Sequence, residues 1–354
     1  MEHLKEIKVE EVEFNCSGYL RLILMLFVCF WAFGCPEPSG IVTAISGFAA
    51  PCFFILSGYY VLDDTREERL LKTGRKIKRA ILCFALMLVF YIAINVGVCL
   101  LAHLTVNITK RVIFNFVVLN LWPLPVGDNI WFIQSMLYAY IILFFADKLK
   151  LMKFYKIVLV LTFLFMLLTG EFANLIHFNV LGYPYIPGNW LTRALPYILL
   201  GKFLREKRES FLMIRKWKFI LFFVLGAGLV ILEMFILGRT GNLVYQGHMI
   251  GFGVMAVCAC GFALSIPIEN GNRIVHYDPA IAGFTYIFMN PLYYVQVIFL
   301  GAQHPDFVAY AGGITALVVS VILALILVGT KFAYLLFTNW DMRMSVMMGE
   351  DELE

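Results

Sequence analysis

Residues 42–102 read VTAISGFAAPCFFILSGYYVLDDTREERLLKTGRKIKRAILCFALMLVFYIAINVGVCLLA. Two apolar stretches, at 42–62 and 80–102, flank a segment rich in lysine and arginine. A helix needs about 20 mostly apolar residues to cross the hydrocarbon core of a bilayer, and each stretch has roughly that length. Positive charge in a short loop is typical of the cytoplasmic side of a membrane. The segment therefore predicts two membrane-spanning helices joined by a cytoplasmic loop.

Similar apolar stretches continue along the whole chain of 354 residues. Hydrophobic residues make up 61% of the chain and charged residues 15%, whereas a soluble domain has about 25% charged residues. We therefore predict an all-α, polytopic membrane protein that forms a single domain over residues 1–354. The ten expected membrane spans are 19–34, 42–62, 80–102, 129–147, 155–170, 190–204, 219–237, 244–267, 281–301 and 309–337.

The basic residues predict how these spans are oriented. They are concentrated in three segments, and all three follow even-numbered spans, at 66–79, 148–156 and 202–218. The positive-inside rule then places the terminal segments 1–18 and 338–354 in the cytoplasm. Because these basic residues flank apolar spans in short loops, we do not expect the protein to bind nucleic acid. No group of Cys and His has the spacing of a metal site, so we expect no bound metal.

Polar side chains within the spans are costly in lipid, and each is therefore a candidate functional residue. Arg21 and Arg193 lie near span ends, where the alternative is that they reach the lipid headgroups. Ser57 lies in a stretch of small residues, which is typical of a close contact between helices. Gln134 is expected to face protein rather than lipid. Asn290 precedes a proline, so a contact with a freed backbone carbonyl and a contact with a substrate are both open.

Six segments, in order along the chain, match the pattern of one known family. The most specific is AAPCFFILSGYY at 49–60, which resembles the segment P-x-F-F-x-x-S-G-Y/F of the acyltransferase 3 family. These are bacterial integral membrane proteins that transfer acyl groups to cell-surface sugars and related acceptors. The other five segments are YLRLILMLFV at 19–28, GRKIKRAI at 74–81, NIWFIQSMLYAYII at 129–142, TRALPYILLGKFL at 192–204 and FTYIFMNPLYYV at 284–295.

The chain departs from this family at three polar positions. Family members carry a His eleven residues after the first-span Arg, where this chain has Ala32. An Arg that often precedes the proline of the second span is Gly47 here, and the late-span His is Asn290. Alanine and glycine carry no proton, and asparagine does not take one up near neutral pH. Since a positioned base is worth about 10²–10⁴-fold in rate, these changes predict a weakened or lost reaction.

The resemblance implies transfer of a small acyl group, such as acetyl, from acyl-CoA as co-substrate, with no tightly bound cofactor. The acceptor would be a hydroxyl of a cell-surface glycan or a lipid-linked sugar, at the cytoplasmic membrane of a bacterial cell. Arg21 would hold a charged substrate group. The donor phosphates would be bound by Arg75, Lys76 and Arg79, unless these residues only mark the cytoplasmic side. The substrate cavity would be lined by Ser57, Trp131, Gln134, Arg193 and Asn290.

Two other functions remain open for the sequence. One is a non-catalytic relative that binds or senses a ligand at the membrane. The missing His at Ala32 favours this function, whereas the basic segment and Arg21 count against it. The other is a small-molecule transporter, which ten spans allow, although no pair of matched broken helices indicates inverted repeats.

Overall fold

The computed structural model describes residues 15–35, 40–62, 65–101, 109–124, 126–127, 129–177, 188–242, 248–268, 273–328 and 330. The secondary structure of these residues is helical, apart from one isolated bridge between Asn15 and Pro267. The predicted cytoplasmic tail at 338–354 lies outside the described residues, as does most of the predicted N-terminal segment 1–18.

The described helices are labelled α1 to α12 in chain order. Two of them, α2 and α6, include a short stretch of 3₁₀ helix, and α7 follows directly on a π-helical turn at Trp190–Ala194. The bounds are α1 Ser17–Phe33, α2 Ile41–Val61, α3 Arg66–Leu101, α4 Lys110–Leu119, α5 Ile130–Lys148, α6 Leu151–Thr169, α7 Leu195–Glu206, α8 Arg208–Leu212, α9 Lys216–Arg239, α10 Ile250–Leu264, α11 Arg273–Leu300 and α12 Pro305–Val328.

Each predicted span overlaps one of these helices, although parts of the spans 244–267 and 309–337 lie outside the described residues. Seven of the described helices are long and apolar enough to cross a membrane, namely α2, α3, α5, α6, α9, α11 and α12. The helices α1 and α10 are shorter but apolar, and α7 with its preceding turn accounts for the predicted span 190–204. The prediction of an all-α, polytopic membrane fold is confirmed.

The main correction concerns the first basic segment, which is helical rather than a loop. Helix α3 begins at Arg66, whereas the predicted span begins at residue 80. Lysine, arginine and glutamate are good helix formers, so the charged residues extend the helix past its apolar part. A further short helix, α4, lies between α3 and α5, and the Thr109 side chain caps it by accepting a hydrogen bond from the Val112 amide at 3.3 Å.

Two glycines bring the backbones of α2 and α7 into direct contact. A Cβ atom added to Gly58 would lie 2.0 Å from the carbonyl oxygen of Ile198, and one added to Gly201 would lie 2.1 Å from that of Ile55. No side chain beyond hydrogen fits at either position. Because lipid is as apolar as a leucine side chain, helices in a membrane associate through close van der Waals contact of this kind. The close contact predicted for the segment around Ser57 is therefore present.

Other helix pairs complete the bundle. The most extensive packing among these pairs joins α11 with α12, α9 with α10, α3 with α5, and α11 with α1. A second close backbone contact joins α9 and α10, where a Cβ atom added to Gly251 would lie 2.5 Å from the carbonyl oxygen of Gly226. As a result, the end of α1 and the starts of α5, α7 and α10 meet at one end of the bundle, away from the basic segments.

The α2–α7 contact predicts the effect of enlarging either glycine. We expect Gly58→Ala and Gly201→Ala each to lower the free energy of unfolding by about 1–3 kcal/mol, since the added methyl group must push two backbones apart. Thermal unfolding of the detergent-purified protein measures this. Gly228→Ala in α9 is the control, because an added Cβ atom meets nothing within 4 Å there. Equal thermal stability of all three variants would contradict the contact.

Candidate functional site

Arg193 lies at the centre of a buried polar cluster where α1 ends and α5, α7 and α10 begin. The side chain is 7% exposed. Its guanidinium carbon lies 5.2 Å from the ring centre of Trp131 and 5.9 Å from that of Trp31. The Asn189 side chain caps this turn, because its oxygen accepts hydrogen bonds from the backbone amides of Leu191 and Thr192, at 2.9 and 3.1 Å. The arginine predicted at this position is therefore turned into the protein, not toward the headgroups.

His248 is the direct partner of Arg193. The Arg193 Nε–H donates a hydrogen bond to His248 Nε2, so the remaining proton of the neutral ring is on Nδ1. The ring is buried, and the guanidinium beside it disfavours a second positive charge, so the imidazole is uncharged. Among the described residues, Nδ1 has no hydrogen-bond partner. The ring therefore presents an unused N–H donor.

Two acidic side chains, Glu171 and Glu233, lie in the same region. Glu171 follows the end of α6, is 2% exposed, and finds no hydrogen-bond partner for either carboxyl oxygen among the described residues. Glu233 in α9 accepts one hydrogen bond, from the Gly251 amide at 3.4 Å. Burial raises the pKa of Glu171 to about 8, with a further contribution from the charge of Glu233, while the Ile250 amide acts in the opposite direction.

The Tyr197 hydroxyl completes this group. The side chain is fully buried, and its hydroxyl has no hydrogen-bond partner within the described ranges. Arg193, Glu171 and Glu233 are all close enough to interact with it electrostatically. We call these residues the Arg193 cluster: Trp31, Trp131, Glu171, Arg193, Tyr197, Glu233 and His248. Buried polar atoms are nearly always hydrogen-bonded in folded proteins, so the unused groups here indicate a site for a polar ligand.

Sequence reasoning proposed only Trp131 and Arg193 of this cluster as site residues, and it missed Glu171 and His248 altogether. Glu171 and His248 lie in the segments that precede α7 and α10; Glu171 falls outside the predicted spans, and His248 falls at the start of the predicted span 244–267, before the helix begins at Ile250. A signal for Glu171 was present, since it is the only acidic residue between positions 170 and 190. His248 carried no signal, because a single histidine near a span end has no characteristic spacing.

Only two of the five residues predicted to line the cavity, Trp131 and Arg193, meet in the Arg193 cluster. Ser57 shares a hydrogen bond with Tyr140 on α5. Gln134 donates to the Phe116 carbonyl of α4 at 2.8 Å. Both are thus engaged in contacts between helices.

Asn290 also joins helices. Its side-chain oxygen accepts a hydrogen bond from the Gly127 amide at 3.0 Å. The carbonyl that Pro291 leaves free belongs to Ile287, and the hydroxyl of Tyr91 on α3 donates to it at 2.8 Å. The freed carbonyl predicted beside Asn290 is therefore satisfied by a tyrosine, while Asn290 anchors the segment that leads into α5.

The structure also shows what occupies the positions where the chain departs from the family pattern. Ala32 is exposed, and its neighbour Trp31 is the residue that contacts Arg193. At Gly47, an added Cβ atom would lie 2.4 Å from the ring of Phe252 and 2.7 Å from that of Trp31. Two aromatic rings thus leave no room for an arginine side chain at position 47.

Several cationic side chains lie near the N-terminal end of α1, opposite the end that contacts Arg193. Arg21 forms an ion pair with Asp278 of α11, a carboxylate that is 2% exposed. Its guanidinium carbon lies 5.7 Å from the ring centre of Tyr60. Lys76 of α3 is half-buried and close enough to feel the charges of Arg21 and Arg79. Three of the four predicted donor-site and substrate cations, Arg21, Lys76 and Arg79, therefore come together in space.

Not every cation of the basic segment is available to a ligand. Arg69 forms a two-pronged ion pair with Asp147 at the end of α5, with N–O distances of 3.0 and 3.1 Å. Arg66 donates to the backbone carbonyls of Asp147 and Lys148 at 3.2 and 3.1 Å. These two arginines fasten α3 to α5. Arg75 lies on the next turns of α3 with Lys76 and Arg79 and is half-buried.

An apolar groove between α6, α7, α9 and α10 has a volume of about 620 Å³. Its walls include Leu159, Phe163, Leu200, Phe222 and Val257, and none of its lining side chains is charged. Its only titratable lining side chain is the Cys258 thiol, so the groove offers no carboxylate or imidazole for acid–base chemistry. Among the described residues, no group of three or more His, Cys, Asp or Glu side chains has the arrangement of a metal site.

Comparison with known proteins supports one assignment. A family model described as an acyltransferase domain matches residues 15–330. The match covers most of the chain and spans α1 to α12. No curated protein and no solved structure matches the chain.

The Arg69–Asp147 pair predicts a purely structural role for part of the basic segment. We expect Arg69→Ala or Asp147→Ala alone to destabilise the protein by about 3–5 kcal/mol, because each leaves a largely buried charge without its partner. The double variant Arg69→Ala with Asp147→Ala should cost clearly less than the sum of the two single variants. Chemical unfolding in detergent, analysed as a double-mutant cycle, measures the coupling. Additive losses would show that the pair contributes no interaction energy.

Proposed function

The chain belongs to the acyltransferase domain family, and from this premise we propose that it is a membrane O-acyltransferase. It moves a small acyl group, such as acetyl, from a CoA thioester to a hydroxyl of a cell-surface glycan or lipid-linked sugar. The cations around Arg21 bind the donor, and the Arg193 cluster receives the acceptor.

One observation carries the donor assignment, namely the position of Lys76 between two arginines. Its ammonium group is half-buried beside Arg21 and Arg79, and among the described residues we find no hydrogen bond or ion pair for it. Like charges held together repel each other unless an anion lies between them. Asp278 offsets the charge of Arg21. A phosphate group of the donor supplies the missing negative charge through charge-assisted hydrogen bonds.

Helix α1 runs from the donor site to the acceptor site, and its length sets the distance between them. Arg21 and Ala32 are eleven residues apart, which is about 16 Å along a helix axis. Trp31, next to Ala32, contacts Arg193. The acyl group therefore has to travel from the cationic end of the bundle to the Arg193 cluster, and the extended arm of a CoA thioester suits that path.

The protein lies in the cytoplasmic membrane of a bacterial cell, with both termini and the basic segments facing the cytoplasm. The distribution of lysine and arginine supports this orientation. The donor site then faces the compartment that contains acyl-CoA. The Arg193 cluster faces the opposite surface, where glycan acceptors are exposed.

This orientation predicts the outcome of reporter fusions. Alkaline phosphatase, which is active only outside the cytoplasm, should be inactive when fused after Lys150 and active when fused after His177 or Asn242. The reason is that the segment before α6 is basic, whereas the other two fusion points follow odd-numbered spans. The reverse pattern of activities would place the donor site on the wrong side for CoA.

A second candidate function is a non-catalytic binding protein of the same fold. The exposed Ala32 in place of the family His favours it. Such a protein binds acyl-CoA or the acceptor without turnover. The two functions therefore differ in the rate of thioester cleavage and not in donor affinity.

The donor site predicts a pattern of acetyl-CoA binding. Lys76→Ala and Arg79→Ala should each weaken binding by roughly tenfold or more, since a hydrogen bond to a charged group contributes about 1.5–3 kcal/mol. Isothermal titration with detergent-purified protein measures the affinity. Lys78→Ala is the matched control, because Lys78 lies on the same helix with an exposed side chain. If Lys78→Ala weakens binding as much as Lys76→Ala does, the donor is held by general positive charge and not by this site.

A further inference from the structure

We propose that Glu171 is the general base of the acyl transfer and takes the role that the family His, absent at Ala32, would have. This proposal rests on the proposed function. It adds a catalytic residue in a segment where the family pattern has no motif.

Glu171 combines deep burial with a lack of protein partners. The side chain is 2% exposed, and neither carboxyl oxygen makes a well-formed hydrogen bond to a described residue; the Ile250 amide is close enough to lower its pKa but leaves the carboxyl group largely unsatisfied. Leaving a buried carboxyl group unsatisfied is costly. A carboxyl group used only for stability is expected to be paired with a donor, as Asp147 is with Arg69. The unused oxygens of Glu171 are therefore available to accept a hydrogen bond from a substrate hydroxyl.

The position of Glu171 links it to the end of α1. Trp31 contacts Arg193, and Arg193 donates to His248. His248 in turn lies against Gly170, where an added Cβ atom would be 3.7 Å from the imidazole Cδ2. Glu171 is the next residue. A carboxyl group thus lies in the cluster that the end of α1 contacts, although it is carried by a different segment of the chain.

The neighbouring groups make Glu171 a better base than His248. The Nε2 lone pair of His248 already accepts a hydrogen bond from the Arg193 Nε–H, and its Nδ1 carries the ring's hydrogen. His248 therefore donates and does not accept in this arrangement. Glu171 faces Glu233 from α9, the Ile250 amide at the start of α10, and Tyr197 of α7. Burial and Glu233 raise its pKa to about 8, within the range in which a carboxylate transfers protons near neutral pH.

The acceptor hydroxyl gives its proton to the Glu171 carboxylate while its oxygen attacks the thioester carbonyl carbon. A new carbon–oxygen bond forms, the carbon–sulfur bond breaks, and CoA leaves as the thiolate. The proton then passes from Glu171 to the thiolate, directly or through water, and the base is regenerated.

The test is hydrolysis of acetyl-CoA by the full-length protein in detergent, with water in place of the acceptor hydroxyl. We expect Glu171→Gln to lower the rate of hydrolysis by about 10²–10⁴-fold while acetyl-CoA binding stays within twofold of the wild type. Glu209→Gln is the control for the same chemical change, since Glu209 is exposed on α8. Retained binding in Glu171→Gln shows that the variant is folded.

The pH dependence separates a base from a structural carboxyl group. Because the base must be ionised, the wild-type rate should rise with pH to a plateau, with a midpoint near pH 8. Glu233→Gln removes the neighbouring negative charge that raises this pKa, so it should shift the midpoint to lower pH. Glu171→Gln should abolish the rise.

The outcomes distinguish failure of this proposal from failure of the proposed function. If the wild-type protein neither binds nor hydrolyses acetyl-CoA, the transferase function fails, and the role of Glu171 fails with it. If hydrolysis occurs but Glu171→Gln retains the wild-type rate and midpoint, Glu171 is not the base, while the transferase function stands.

Discussion

The structure depends on one constraint, which is that a hydrocarbon surrounding offers no hydrogen bonds to the groups it contacts. Every backbone amide and carbonyl must then be satisfied within the protein, and helices do this along their own length. The same rule applies where a helix is interrupted. The carbonyl of Ile287 is left free by Pro291 and is satisfied by the hydroxyl of Tyr91. Ser57, Gln134 and Asn290 likewise have protein partners.

Against this background, the polar groups that have no partner among the described residues become informative. Some of them, such as the side-chain oxygens of Asn120 and Thr285, are spread through the bundle, but two groups lie at the two ends of α1. At one end, Lys76 lies beside Arg21 and Arg79 with an unused positive charge. At the other, Glu171 and Tyr197 are buried with unused oxygens. One site suits an anionic donor and the other a hydroxyl acceptor, and both features are what a two-substrate transfer across a membrane requires.

The positions at which the chain departs from the family pattern lie next to shared aromatic residues. Trp31 and Phe252 fill the volume that a side chain at position 47 would need, and the same Trp31 contacts Arg193. The loss of an arginine at one position therefore accompanies an aromatic environment around another arginine. In our proposal the proton acceptor has moved in a similar way, from α1 to the segment after α6. A reaction needs a base at a point in space, and several segments of this bundle reach that point.

The sequence by itself determined the polytopic membrane fold and the family resemblance, because hydrophobic length and the position of charges are local properties of the chain. It also identified Trp131, which lies in α5, and Arg193, which lies in the π-helical turn before α7. Only the tertiary structure decided which of the predicted polar residues share a site. Ser57, Gln134 and Asn290 were equally plausible cavity residues, yet each is used between helices. Glu171 and His248 became visible only in three dimensions, because they lie outside the helices and their partners are distant in sequence. Periodicity predicts which face of a helix is buried, whereas the packing of several helices decides which groups from different segments meet.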